Sequence, residues 1–220
     1  MSIECKKLHE IFNKMKRFRF PFDESKIPEN GVYILFEKGE LAHDGDRIVR
    51  IGTHTGETQL LSRLKQHFIK ENKDRSIFRK SIGRAILNKI GDPFLCDWEK
   101  DLTTKEARNQ FRNIDLEKQK EIERKISKYI QENFSFGIIP VENKEQRLEL
   151  ESKIISTISL CQECKPSENW LGINCPSEKL QTRRVYENCL KIKNFGLWNV
   201  NELKKQPLTK KEIEVIHSLI

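Results

Sequence analysis

Strand signal is confined to three short runs, residues 32–36, 47–51 and 134–141, in a chain of 220 residues whose other patterns are helical or irregular. The first, Val32-Tyr33-Ile34-Leu35-Phe36, follows breaker-rich sequence at Phe20-Pro21-Phe22 and Ile27-Pro28-Glu29-Asn30-Gly31. The second, Arg47-Ile48-Val49-Arg50-Ile51, follows a polar connection at 37–46 and ends at Gly52. Together they predict an antiparallel hairpin with a longer loop than usual. Pro140 sets the third run at a sheet edge or marks its end. Alternation places Val32, Ile34 and Phe36 on one face and Tyr33 on the other, with Arg50 on the face of Ile48.

Helical periodicity fills the intervals. Residues 3–17 predict an amphipathic helix with Ile3, Leu8, Ile11, Phe12 and Met15 inward and Lys6, Lys7, Lys14, Lys16 and Arg17 outward. A second helix begins near Glu57, with a stripe of Leu60, Leu61, Leu64 and Phe68, and a third near Ser76, running through Ile82 and Ile86. Residues 91–103 read as loop, 104–133 as a highly charged helical region packed on one side, and 143–159 as a further helix. The last sixty or so residues predict irregular structure with short helices. The order hairpin, helices, strand, helix defines a small α/β (α+β) domain.

Lys and Arg number 41 against 33 Asp and Glu, a formal net charge of +8, which suits a polyanionic partner. No stretch approaches the roughly 18 apolar residues of a membrane span, and the N-terminal helix has no signal-like apolar region, so a cytoplasmic protein without membrane association is expected. Six cysteines then read as reduced thiols. Cys161-Gln-Glu-Cys164 is half a zinc site that Cys175 and Cys189 could complete. The second pair lacks the C-x-x-C spacing, so incidental thiols are preferred over a structural Zn²⁺.

Three groups of residues carry the chemistry. On a helical wheel, 143–159 puts Leu148, Leu150, Ile154, Ile155 and Ile158 on one side and Glu149, Ser152, Lys153 and Ser156 opposite. Glu151 falls within the apolar side, where a carboxylate is costly unless paired or bound to a metal. A Glu at the core rim meeting an Arg is the plain alternative. Arg63 and His67, four residues apart, border the Leu60/Leu64/Phe68 stripe and could grip a phosphate, although on this pair alone plain polar decoration of the helix is preferred. The third group is Gly31-Val32-Tyr33 with Arg50-Ile51-Gly52. A strand Tyr is usually packing and a strand Arg usually solvated.

In this order, Gly31-Val32-Tyr33, Arg50-Ile51-Gly52, Arg63-x-x-x-His67, Leu150-Glu151-x-x-x-Ile155 and Asn169 resemble the GIY-YIG nuclease family. The resemblance implies a small three-stranded antiparallel sheet flanked by helices, and metal-dependent phosphodiester hydrolysis. It sets a nuclease domain at 28–175 with a helical insertion at about 104–133, a basic helical extension at 1–27 and a C-terminal extension at 176–220. It implies that Tyr33 activates water, that Arg63 stabilises phosphate charge and that His67 assists proton handling or phosphate binding. It also makes Glu151 the single carboxylate for Mg²⁺, with Mn²⁺ as substitute, and Asn169 the residue that holds the site together. Arg50 stands where the second tripeptide usually begins with Tyr, so a two-tyrosine relay is in doubt, and His54 is the alternative proton-transfer group. The implied partner is DNA, duplex above all, with RNA left open and an inactive nucleic-acid-binding module as the alternative function. Contacts are expected from the N-terminal helix and from Arg183, Arg184, Lys191 and Lys193.

Overall fold

The computed structural model describes residues 2–176 and 182–219. In chain order they form α1 (Ser2–Lys14), β1 (Phe18–Arg19), β2 (Gly31–Ala42), β3 (Gly45–Gly52), α2 (Leu60–Phe68), α3 (Ile77–Lys89), α4 (Leu95–Trp98), α5 (Lys105–Gln110), α6 (Leu116–Asn133), β4 (Phe134–Pro140), α7 (Lys144–Ser159), α8 (Arg183–Phe195) and α9 (Lys210–Ser218). The class is the expected α/β. The sheet has four antiparallel strands in the order β1-β4-β2-β3, because the two residues of β1 add to β4. β4 is therefore internal, and Pro140 marks its end, opposite Gly31.

Period-two alternation sorts the sheet into two buried faces. Tyr33, Leu35, Val49, Phe134, Phe136 and Ile138 pack against α2, α3 and α6. Val32, Ile34, Phe36, Ile48, Ile51 and Ile139 pack against α1, α7 and α9. Both terminal segments take part. Leu8, Ile11, Phe12 and Met15 of α1 lie in the second cluster, with Ile3 instead 68% exposed, and Trp198 lies in the first.

The hairpin departs most from expectation. Residues 37–46 are not a loop: β2 and β3 continue to Ala42 and Gly45, joined by His43 and Asp44 alone, both with positive φ (51° and 65°). That is the two-residue turn whose twist matches the flanking strands. Two polar residues of 37–46, Glu37 and Glu40, are buried with partners. Glu37 accepts hydrogen bonds from Trp170 Nε1 (2.7 Å), Trp198 Nε1 (2.9 Å) and Tyr129 Oη. Glu40 pairs with Arg47 at 2.6 Å.

A β-bulge is the second departure. Phe36 pairs with Ile48 but Leu35 with Arg50, so Val49 is an extra residue and the alternation breaks there. Arg50 consequently leaves the face of Ile48 and lies over the Phe78 ring, in the first cluster. Elsewhere α4 forms within 91–103, and α6 buries Ile122, Ile126, Ile130 and Glu123. On α7, Ser156 is buried and donates to Lys205 O, whereas Leu148 is 36% exposed, the reverse of the wheel.

Candidate active site

β2, β3, α2 and α7 bring most of the expected residues to one end of the sheet. Tyr33 pairs with Gly52 across the hairpin, and its ring lies directly over that glycine. A Cβ at Gly52 would come within 2.1 Å of the phenolic oxygen, so only glycine leaves room. Tyr33 Oη is 2.8 Å from His67 Nε2, and His67 Nδ1 is 2.8 Å from Ser76 Oγ. Ser76 is the N-cap of α3 and accepts the Arg79 N–H, which fixes the far end of this chain of contacts. Arg79 in turn donates to the His67 carbonyl and bonds Glu123 of α6 through two nitrogens. His67 is fully buried. Burial first, then Arg63, Arg50 and Arg79, hold its pKa well below the ordinary value, so the imidazole is neutral at pH 7.

Beside this chain lies a cavity of about 370 Å³ lined by Arg50, Arg63, Glu151, Asn199 and Glu202 among others. Glu151 Oε1 accepts the Thr53 N–H at 3.2 Å, one residue beyond Gly52. Burial raises its pKa, and Glu202 adds to that, while Arg50 and the Thr53 N–H oppose it. Arg50 donates to Trp198 O at 2.8 Å, and its Nε is buried without a partner. Arg63 donates to Gln66 Oε1 (2.8 Å) and Arg75 O (3.2 Å), both uncharged acceptors. Among the described residues neither arginine forms an ion pair at 4 Å or less, so two unpaired cations line the cavity with the carboxylates of Glu151 and Glu202. Tyr33 itself lines no part of this cavity and is completely covered.

Arg63 also lines a second cavity of about 360 Å³ with Thr53, His54, Ser62 and Gln66. His54 Nδ1 bonds Gly56 O at 2.8 Å, so Nδ1 carries the hydrogen, and the buried Nε2 has no partner. Burial is the main cause of its lowered pKa.

Asn169 is not brought to this place. It is exposed, two residues after Ser167, which bonds Glu40 near the opposite end of β2. The asparagine at the cavity is Asn199, whose Oδ1 accepts the Ile51 N–H (3.0 Å) and whose Nδ2 donates to Ile51 O (2.9 Å). With Trp198 N donating to Val49 O, it closes the free edge of β3. The sequence marks Asn199 only as a polar residue between Trp198 and Val200. Ser76, by contrast, stands where the sequence predicts a helix to begin.

The sequence matches the profile of the GIY-YIG domain over residues 4–220. No curated protein and no solved structure matches the chain.

Proposed function

The chain belongs to the GIY-YIG domain family, a family of nucleic-acid-cleaving enzymes, and from that premise we propose that it is a metal-dependent endonuclease acting on DNA. The convergence of Glu151, Arg50 and Arg63 on one cavity, beside the Tyr33–His67 contact, carries this reading. The donor set suits Mg²⁺ or Mn²⁺. Glu151 offers one carboxylate, anchored at Oε1 and with no donor to Oε2 among the described residues, and Mg²⁺ accepts a single carboxylate because it keeps most of its waters. When bound, such an ion polarises the phosphate and stabilises the leaving oxygen.

The remaining work falls to the chain. Arg63 exchanges its two neutral acceptors for phosphate oxygens, gaining charge-assisted bonds. Arg50 holds a second positive charge in place, fixed by the Trp198 carbonyl and the Phe78 ring. It cannot act as a phenol, so proton handling rests on one tyrosine. In the tautomer with Nδ1–H directed at Ser76 Oγ, the neutral His67 Nε2 accepts the Tyr33 O–H hydrogen bond and orients the phenol oxygen, and Tyr33, once its own proton has passed to solvent, takes a proton from the attacking water as phenolate. Because Tyr33 is covered, substrate binding must open a path to its oxygen.

Supercoiled plasmid DNA tests the reading. With Mg²⁺, the wild type is expected to nick and linearise it. Glu151→Gln is expected to abolish cleavage at every Mg²⁺ or Mn²⁺ concentration while still binding DNA, with stability unchanged or raised. The half-buried charge is removed, and the acceptor for Thr53 is kept. A fully active Glu151→Gln protein eliminates the metal role. Wild-type binding without cleavage leaves an inactive nucleic-acid-binding module.

A further inference from the structure

On the sheet face opposite Tyr33, three distant parts of the chain bring soft ligands together. α1 supplies Cys5 and His9, one turn apart and so on one helix face. The β2–β3 turn supplies His43, and the segment after α7 supplies Cys164. One ligand atom from each of the four lies within 4.8 Å of the other three. Cys164 Sγ is 3.6 Å from His9 Nε2, and Cys5 Sγ is 3.6 Å from His9 Nδ1. Cys161 Sγ sits 3.4 Å from His43 Nε2. Bond lengths of about 2.3 Å to sulfur and 2.0–2.1 Å to nitrogen put neighbouring S and N ligands of a tetrahedral zinc ion about 3.5 Å apart. The Cys164 Sγ–His9 Nε2 separation is of that size, and all four ligand atoms already lie within 4.8 Å of one another, before any metal has drawn the side chains in.

We propose that Cys5, His9, His43 and Cys164 form a structural Zn²⁺ site, with Cys161 at its border. The outer contacts of both imidazoles support it. His9 Nδ1–H donates to Cys5 O at 2.9 Å, leaving Nε2 toward Cys164. His43 Nδ1 faces the Glu163 carboxylate at 3.8 Å, leaving Nε2 toward the thiols. Zinc-bound histidines are oriented in this way, with the distal N–H on a carbonyl or a carboxylate. The Ile48 N–H also points at His9 Nε2, at 3.2 Å, a contact that the metal replaces. Of the four protein ligands Cys5, His9 and Cys164 are buried and the His43 side chain is covered as well, a closed surround of the kind that structural rather than catalytic zinc sites have.

The partners of the C-x-x-C pair are thus not those expected. Cys175 and Cys189 lie in the other cluster, and all six cysteines are free thiols. They provide the control. Full-length protein purified under reducing conditions is expected to carry about one zinc per chain by elemental analysis. The demetallated chain is expected to bind Co²⁺ with the visible absorption of a tetrahedral thiolate site. Cys164→Ser and His9→Gln should lose the metal and melt at a lower temperature, while Cys175→Ser and Glu151→Gln should keep the metal. A reduced wild type with no zinc and no Co²⁺ spectrum overturns the proposal, as does a Cys5–Cys164 disulfide or full zinc content in Cys164→Ser. Should the variants be insoluble, the metal content and Co²⁺ spectrum of the wild type decide alone. None of these measurements involves DNA cleavage, so they stand or fall apart from the nuclease reading.

Discussion

Tyr33 and His67 meet where β2 passes under α2, and each is the other's only side-chain hydrogen-bond partner at the facing atoms among the described residues. Tyr33→Phe therefore has two effects. It removes the proposed base, so plasmid cleavage should fall by roughly a hundredfold or more. It also leaves a buried imidazole nitrogen unpaired, costing about 1 kcal/mol in urea unfolding. Wild-type turnover in that variant eliminates the phenol as base and turns attention to His54, whose Nε2 is unpartnered. His67 also sets a pH dependence. Its folded pKa is depressed below the 6.5 of an ordinary histidine, so below that pH the unfolded chain takes up a proton that the folded chain refuses. The stability is present in full above pH 6.5 and is lost as pH falls toward the folded value. Between pH 7 and 5.5 the wild type should lose about 1 kcal/mol through this group, and His67→Gln should flatten the slope by that amount. An unchanged slope in urea melts across pH means that His67 titrates normally.

At the level of elements, the insertion helix α6 is bound to the site. Glu123 takes two hydrogen bonds from Arg79, and Arg79 also holds the carbonyl of His67. Glu123→Ala strands a fully buried guanidinium and should cost about 3–5 kcal/mol in urea unfolding, where a merely solvated insertion predicts almost nothing. Such links explain what could be read from the sequence and what could not. Tyr33, Arg63, His67 and Glu151 lie on elements that the periodicity predicts, and it is the family resemblance that singles them out there, while the starts of α3 and α7 near Ser76 and Asn143 are legible locally. Arg50 was placed on the wrong face because nothing in Ile48-Val49-Arg50 marks Val49 as a bulge. Residues 37–46 read as loop because Glu37 and Glu40 acquire their buried donors from Trp170, Trp198 and Ser167, far along the chain. Asn199 was missed for the same reason: its partner, Ile51, belongs to a strand edge that only the folded sheet defines.

Across the whole molecule, the last forty or so residues complete both faces of the sheet. Leu197, Leu208, Ile213 and Ile216 fill one cluster, Trp198 and Ile192 the other, and Asn199 closes β3. A chain ending at residue 176 should fail to fold, with no cooperative melt and no amide dispersion in its NMR spectrum. A cooperative melt from that fragment shows instead that the last 44 residues are dispensable for folding. The docking of this segment also has an optical signature. Trp170 and Trp198 stand with ring centroids 5.0 Å apart, both donating to the same oxygen of Glu37. Two indoles that close share their excitation, so the native chain should show a paired-sign band in its near-ultraviolet circular dichroism that neither ring produces alone. The third tryptophan, Trp98, lies beneath Gly83, outside the pair. Closure of the β3 edge can therefore be followed in real time by light alone, in the unlabelled protein.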